Sequence, residues 1–246
     1  TMWGTSMTLN KHYTFKFSED RELNLFNPAG VFTPTGTTSA LVNAVGLYLQ
    51  KPGKLLDLGC GNGVAGIAAY MLGFVDEPLY SSDLSQDAVD VTVVNAAKYN
   101  CKIEARSGSI FDPWEGKKFD YILNDISGIA TRVAQISPWF NSVPCSSGED
   151  GADLIVEMLL AAKKHLNKNG ALFFPVISLS NVERILKVAG EEFKNVKLLS
   201  SDEWPMPKEM SLHIELLDEL AKTNIISFTK KFGLMTYYTD IYVATN

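Results

Sequence analysis

Residues 55–66 read Leu55-Leu-Asp-Leu-Gly-Cys-Gly-Asn-Gly-Val-Ala-Gly66, an apolar stretch that runs directly into a glycine-rich turn. The apolar residues predict a short buried strand, and the alanine-rich segment that follows predicts a helix. Gly59, Gly61 and Gly63 allow a tight turn between the two and let a ligand approach the backbone closely. The helix that begins there offers free N–H groups. The stretch therefore predicts a binding site at the carboxyl end of this strand.

Strand and helix patterns alternate on both sides of this turn. Strands are predicted at 54–58, 79–82, 102–107, 119–123, 171–177, 196–200 and 237–244, and helices at 37–49, 65–72, 86–99, 152–166, 182–193 and 209–222. Apolar strands that alternate with helices indicate a doubly wound, mostly parallel sheet, here of seven strands with an antiparallel C-terminal edge. Residues 1–30 show one short strand pattern, at 13–17, and we interpret them as an extension. Residues 31–246 then form one domain of the α/β class, with a helical insertion near 205–224.

The composition limits the range of functions. Lys and Arg number 22 and Asp and Glu 28, so the net charge of −6 argues against a surface that follows a phosphate backbone, and no DNA partner is expected. Three cysteines favour a reducing compartment, and we expect a cytoplasmic protein. No apolar run approaches the length of a membrane span. The three histidines lie far from one another and from any cysteine pair, so no metal site is expected.

Two cofactors fit the glycine turn. The spacing of Gly61, Gly63 and Gly66 satisfies the dinucleotide fingerprint, which keeps a nicotinamide oxidoreductase open. Asp57 precedes the turn, however, and Asp83 follows the next strand, where a carboxylate can bind ribose hydroxyls. A carboxylate inside the motif disfavours an anionic pyrophosphate and suits a cation. S-adenosylmethionine, with its ammonium and sulfonium, is the preferred cofactor, and a non-catalytic module that binds it is a third hypothesis.

These motifs resemble those of class I S-adenosylmethionine-dependent methyltransferases, over roughly residues 28–200. The resemblance implies that the first strand and the glycine turn bind the cofactor, through Asp57, Gly59, Gly61 and Gly63. It also implies a ribose and adenine site with the following members: Asp83, Leu84, Ser109 and Ile110. Ser109 stands where the family usually has Asp.

The narrower resemblance is to the release-factor glutamine methyltransferases and their RNA-modifying relatives. Residues 30–38 are similar to the segment that these enzymes place over the methionine end, which implies contacts from Thr35 and Thr37. Residues 119–124 resemble their fourth strand, so Asn124 is expected to contact the cofactor and to orient an acceptor N–H. The usual Pro-Pro-aromatic sequence after it is replaced by Asp125-Ile126-Ser127. Asp125 is therefore a second candidate catalytic residue, which could orient or deprotonate a basic amine.

The acceptor implied by this resemblance is a nitrogen of a protein side chain or an RNA base, and a small molecule is the alternative. Asn124 could instead simply end its strand, with Asp125 a solvated loop residue. The long loop 127–150 carries Trp139 and Phe140, which supply a stacking surface or pack the loop onto the domain. Trp204 could likewise line the mouth of the site or pack within the domain.

Overall fold

A computed structural model describes residues 11–126, 128–140, 143–145 and 147–246. Its first part is an antiparallel hairpin of strands β1 (His12–Ser18) and β2 (Arg21–Phe26). Only the first of these strands was expected from the sequence. Phe15, Leu23 and Leu25 are buried in the largest core, so the hairpin packs against the central domain. Residues 1–10 of the expected extension lie outside the described residues.

The central sheet has the predicted architecture. Its strands are β3 (Leu55–Leu58), β4 (Leu79–Asp83), β5 (Ile103–Ser107), β6 (Phe119–Asn124), β7 (Leu166–Ile177), β8 (Asn195–Pro205), β9 (Thr229–Lys231) and β10 (Leu234–Thr245). The order across the sheet is β5-β4-β3-β6-β7-β10-β8, with the short β9 paired to β10. The first five strands in this order are parallel, β10 is antiparallel to β7, and β8 is antiparallel to β10. The mostly parallel sheet with an antiparallel C-terminal edge is confirmed, and β9 is an additional strand.

Helices cover both faces of this sheet. They are α1 (Gly36–Tyr48), α2 (Val64–Met71), α3 (Gln86–Lys98), α4 (Thr131–Ile136), α5 (Asp153–Ala162), α6 (Val182–Glu192), α7 (Lys208–Ser211) and α8 (Ile214–Lys222). Because side chains alternate along a strand, the neighbouring Phe173 and Phe174 of β7 enter opposite cores. One core contains α1, α2 and the N-terminal hairpin, and the other contains α5 and α6. Among the described residues, no helix is long and apolar enough to span a bilayer.

A third hydrophobic core lies beyond the carboxyl ends of the parallel strands. It joins α4, α7 and α8 to the adjoining end of β10, and we call this unit the cap. Met210 and Leu217 are completely buried in it. An ion pair between Arg132 of α4 and Glu219 of α8, with N and O 2.7 Å apart, links two of its helices on the outside. Helices α7 and α8 of the cap fall within the range 205–224.

Two predicted boundaries were wrong. The helix predicted at 152–166 was too long, because α5 ends at Ala162 and β7 already begins at Leu166. Asn169 adopts a left-handed conformation with φ of 64°, and the pairing of β6 with β7 shifts register here, so residues 167–170 form an irregularity inside a strand. The strand predicted at 196–200 was too short, because β8 continues to Pro205. Pro205 is tolerated because β8 lies at the edge of the sheet.

Candidate functional site

The glycine turn after β3 is shaped by two close approaches. Gly59 has φ of 78°, and a Cβ atom there would lie 2.7 Å from Cγ1 of Ile126, which follows β6. Only glycine therefore allows the two strand ends to come this close. Gly61 has φ of 54°, but a Cβ atom there would meet nothing within 4 Å, because this residue faces an open cavity. The turn thus presents bare backbone to a ligand.

Asp83, at the end of β4, fixes this turn in place. Its Oδ2 accepts a hydrogen bond from the backbone N–H of Gly61 at 3.0 Å, and its Oδ1 accepts one from the N–H of Ser85 at 2.9 Å. A carboxylate oxygen has two lone pairs, so each oxygen keeps one for a further donor such as a ribose hydroxyl. Asp83 lines the cavity and remains able to bind there.

A cavity of about 240 Å³ lies at the carboxyl ends of β3, β4 and β6. Most of the expected site residues line it, namely Thr35, Thr37, Gly59, Gly61, Asp83, Leu84, Ser109, Ile110 and Asp125. Three expected residues do not line it and lie behind its wall: Asp57, Gly63 and Asn124. The structure thus brings together residues from five separate segments of the chain.

The two candidate catalytic residues, Asn124 and Asp125, lie in different environments. Asn124 is completely buried as the last residue of β6, and its Nδ2 donates to the carbonyl oxygen of Ile126 at 2.9 Å. Its Oδ1 has no hydrogen-bond partner in the described part of the chain. Asp125, one residue later, is half-buried, and its Oδ2 accepts a hydrogen bond from the hydroxyl of Thr38 at 2.8 Å. Asp125 is the residue that faces the cavity. The third residue of the altered motif, Ser127, lies outside the described residues.

Two of the carboxyl groups near the cavity have strongly shifted pKa values. Burial raises the pKa of Asp57 to about 7. A hydrogen bond from the N–H of Gly66 acts in the opposite direction but is the smaller effect. Burial likewise raises the pKa of Asp125 to about 7, and the hydrogen bond from Thr38 lowers it. The charge of Asp83 raises both values further. Three carboxyl groups in one small region leave negative charge that a cation can neutralise.

The segment 32–38 and the loop between β6 and α5 close the cavity from outside. Phe32 lies against Phe140 of the loop, with ring centroids 5.4 Å apart. Both expected stacking residues of this loop, Trp139 and Phe140, line the cavity. Loop residues 127, 141, 142 and 146 lie outside the described part.

The two ends of this loop are tied together at a narrow neck. The hydroxyl of Thr131 donates to the carbonyl oxygen of Gly148 at 2.7 Å. Gly151, with φ of 76°, lies so close to the other end that a Cβ atom would be 2.4 Å from the carbonyl carbon of Ile129. The guanidinium of Arg184 on α6 binds both oxygens of Asp150, at 3.0 and 3.2 Å.

Sequence reasoning missed several residues that line the cavity. Thr38 is next to the expected Thr37, and the Thr-rich segment was a signal that could have included it. Tyr237, near the start of β10, lies far along the chain from the predicted motifs, and nothing in its local sequence indicates a role in the site. Burial raises the pKa of Tyr237 to about 12, so its hydroxyl stays protonated and can donate a hydrogen bond. Phe32 belongs to the segment 30–38 but was not among the contacts predicted from it.

The residues around the cavity fit a cationic ligand. Among the described residues that line it there is no lysine, arginine or histidine, whereas Asp83 and Asp125 are both present. A dinucleotide would place a pyrophosphate here with no cationic side chain opposite it. S-adenosylmethionine carries an ammonium and a sulfonium, and the uncovered backbone at Gly61 leaves room for it.

Comparison with known proteins supports the resemblance to methyltransferases. Residues 22–125 match the family described as "Methyltransferase small domain". The chain is 26% identical over 185 residues to the ribosomal protein L11 methyltransferase of Staphylococcus saprophyticus, covering 73% of this chain and 57% of the relative. It is 30% identical over 129 residues to the ribosomal protein uL3 glutamine methyltransferase of Francisella tularensis, covering 50% of this chain and 41% of the relative. The chain thus spans about half the length of the curated relatives it matches.

Solved structures show the same fold. The 16S rRNA N2 G1207 methyltransferase of T. thermophilus, solved in complex with AdoMet and guanosine, has a TM-score of 0.60. At 13% identity, the match covers 96% of this chain and 50% of that one. The ribosomal protein L11 methylase of Lactobacillus delbrueckii has a TM-score of 0.54 at 16% identity, covering 88% and 83%. These structures share the fold of this chain. Together with the match of residues 22–125, the glycine turn and the carboxylate after β4, they support a class I S-adenosylmethionine-dependent methyltransferase of the branch with the methyltransferase small domain.

Proposed function

We propose that this chain binds S-adenosylmethionine in the cavity and transfers its methyl group to a nitrogen atom, most favourably one on a protein side chain. The observation that carries the proposal is the charge of the cavity wall, which has two carboxylates and, in the described chain, no basic side chain. An RNA substrate would bring phosphates to this wall, and phosphates are held by lysine and arginine. A basic amine or amide on a polypeptide has no such requirement.

Each wall of the cavity has a distinct role in this proposal. Asp83 binds the ribose and holds the glycine turn, whereas Ser109 and Ile110 flank the adenine. Thr35 and Thr37 cover the methionine end of the cofactor. Bound S-adenosylmethionine supplies an electrophilic methyl carbon, so the protein mainly has to align a nitrogen lone pair with it.

Asp125 is the residue that we assign to the acceptor. Its carboxyl group is fixed by Thr38 through Oδ2, which leaves Oδ1 to accept an N–H of the incoming nitrogen. With a pKa of about 7, it can also accept the proton that an amine loses. Asn124 supports it from behind, because its side chain holds the backbone of Ile126. The catalytic role expected for Asn124 thus passes to its neighbour.

The test is transfer of radiolabelled methyl groups from S-adenosylmethionine into separated protein, RNA and small-molecule fractions of a cell extract. We expect label in the protein fraction, stable to ribonuclease and released by protease. Label confined to RNA or to small molecules would contradict the assignment of the acceptor while leaving the cofactor intact. Binding of the cofactor without any transfer would instead favour the non-catalytic module.

A further inference from the structure

A second hollow, of about 580 Å³, opens beside the cofactor cavity, and we call it the aromatic groove. Its walls are formed mainly by aromatic and proline side chains, including Phe32, Pro138, Trp139, Trp204, Pro205 and Tyr237. Phe32, Trp139 and Tyr237 line the cavity as well, so the two hollows share a wall. A molecule in the groove would therefore lie directly beside the cofactor.

The wall of the groove is fixed before anything binds. The indole Nε1–H of Trp204 donates to the hydroxyl of Thr239 at 3.2 Å, and that hydroxyl lies 3.0 Å from the hydroxyl of Thr37. The ring also lies over the first residue of α1, since a Cβ atom at Gly36 would be 2.8 Å from it. Trp139 packs edge-on against Tyr237, with centroids 5.4 Å apart. A rigid wall of this kind binds without the cost of ordering its side chains.

The charge and chemistry of the groove indicate its ligand. Lys11 is the one cation among the described residues that line it, too few to neutralise a phosphate backbone. Fixed tryptophan and tyrosine rings are the side chains that most often anchor a protein partner. We propose that the aromatic groove binds a polypeptide segment of the methyl acceptor, which carries the reacting nitrogen into the cavity. This inference rests on the proposed methyl transfer.

One helix end connects the groove to the reacting carboxyl group. Trp204 is linked through Thr239 to Thr37, and the next residue, Thr38, holds Asp125. The start of α1 thus positions both the wall of the groove and the group assigned to the acceptor nitrogen. Trp204 is therefore a positioning residue for the acceptor, and it acts through α1 rather than on the reacting atoms.

A steric block tests the groove directly. Pro205→Cys, made in a Cys145→Ser chain, is labelled with a bulky maleimide, and Leu212→Cys in the same background is the control. Leu212 is 75% exposed and does not line the groove. We expect the label at 205 to reduce methyl transfer into protein at least about tenfold and the label at 212 to leave it unchanged. Affinity for S-adenosylhomocysteine, measured by calorimetry, should stay within about twofold in both.

The outcomes separate this inference from the proposed function. Equal transfer into protein by both labelled chains would overturn the groove as the acceptor site, with methyl transfer itself intact. Transfer into RNA that is blocked by the label at 205 would show a nucleic acid in the groove and would also overturn the inference. Failure of the unlabelled chain to bind the cofactor would reject the proposed function first.

A milder variant tests Trp204 itself. Trp204→Phe keeps a ring in place but removes the N–H that reaches Thr239. The loss of one hydrogen bond should raise KM for the protein acceptor about three- to tenfold, with kcat nearly unchanged. A merely structural role for Trp204 would lower the unfolding temperature without this separation of KM from kcat. An unchanged KM at a normal unfolding temperature would contradict the positioning role.

Discussion

The cofactor side of the molecule and the cap are built in different ways. The cofactor side draws on short contiguous segments at the ends of β3, β4 and β6, where backbone turns and carboxylates line the cavity. The cap and the aromatic groove combine residues 32–36, 138–139, 143, 204–207 and 237, which meet only in the folded chain. A backbone turn can be predicted from a few neighbouring residues. A surface formed by side chains from distant segments cannot be predicted in this way.

This contrast implies that the two regions can be damaged separately. Changes on the cofactor side should alter binding of S-adenosylmethionine, and changes in the cap should alter the acceptor. Asp125 lies on the boundary, since it follows β6 yet faces the cavity.

Asp125→Asn should have the largest effect. It keeps the shape and one acceptor oxygen but removes the charge and the capacity to take a proton, so methyl transfer should fall about 10²–10³-fold. Affinity for S-adenosylhomocysteine should change by less than about 1 kcal/mol, because this group faces the acceptor. Steady-state rates and calorimetry measure the two quantities.

Asn124→Ala is the matched control for Asp125. Since its side chain holds Ile126 from behind the wall, we expect a loss of about 1 kcal/mol in stability and less than a tenfold loss in rate. A rate loss in Asn124→Ala that equals that of Asp125→Asn would return the catalytic role to Asn124.

Leu217→Ala should damage the cap alone. The side chain is completely buried in the third core, so its truncation should cost about 2–4 kcal/mol of stability there. Hydrogen exchange should become faster in α7 and α8 but not in β3–β6, and KM for the acceptor should rise at constant cofactor affinity. Glu219→Gln, on an exposed face of the same helix, should change nothing measurable. Faster exchange throughout the sheet would show that the cap and the cofactor side unfold as one unit.

Asp83→Ala should damage the cofactor side. Loss of the hydrogen bonds to the ribose, together with release of the Gly61 N–H, should weaken binding of S-adenosylhomocysteine by about 1.5–3 kcal/mol. Calorimetry measures this change, and KM for the acceptor at saturating cofactor should stay the same. Unchanged cofactor affinity would mean that the ribose lies elsewhere.

Asp57→Asn should remove the free-energy cost of burying a charged carboxyl group. In the folded chain its pKa is about 7 rather than 3.8, so the folded state holds a proton that the unfolded state has lost between these values. Stability should therefore fall as pH rises from about 4 to 7 and then level off. Asn carries no charge, so the variant should show a smaller slope, with the contribution of Asp125 left, and gain about 1–2 kcal/mol at pH 8. Denaturant unfolding at several pH values tests this, and parallel slopes in both chains would contradict it.

The sequence predicted the sheet well because apolar strands and helices alternate so regularly. It also predicted that the glycine turn and Asp83 belong to one site, and both lie at the cavity. The sequence does not reveal which of the two predicted catalytic candidates, Asn124 and Asp125, points outward, because that depends on the pairing of β6 with β3. The boundary of β7 was misjudged because Asn169 has the same preference for a left-handed conformation in a helix cap as in a strand irregularity.

The neck of the loop between β6 and α5 has a consequence for how such a protein can change over time. Thr131 is bonded to Gly148, and Asp150 is held by Arg184, so the ends of the loop stay in place whatever lies between them. Doubling the length of a closed loop costs only about 0.6 kcal/mol of chain entropy. Residues can therefore be inserted between α4 and the neck at little cost in chain entropy, whereas α4 itself is held by the third core. A lineage with this scaffold can vary the wall of the proposed acceptor site in this way, while the glycine turn keeps its geometry.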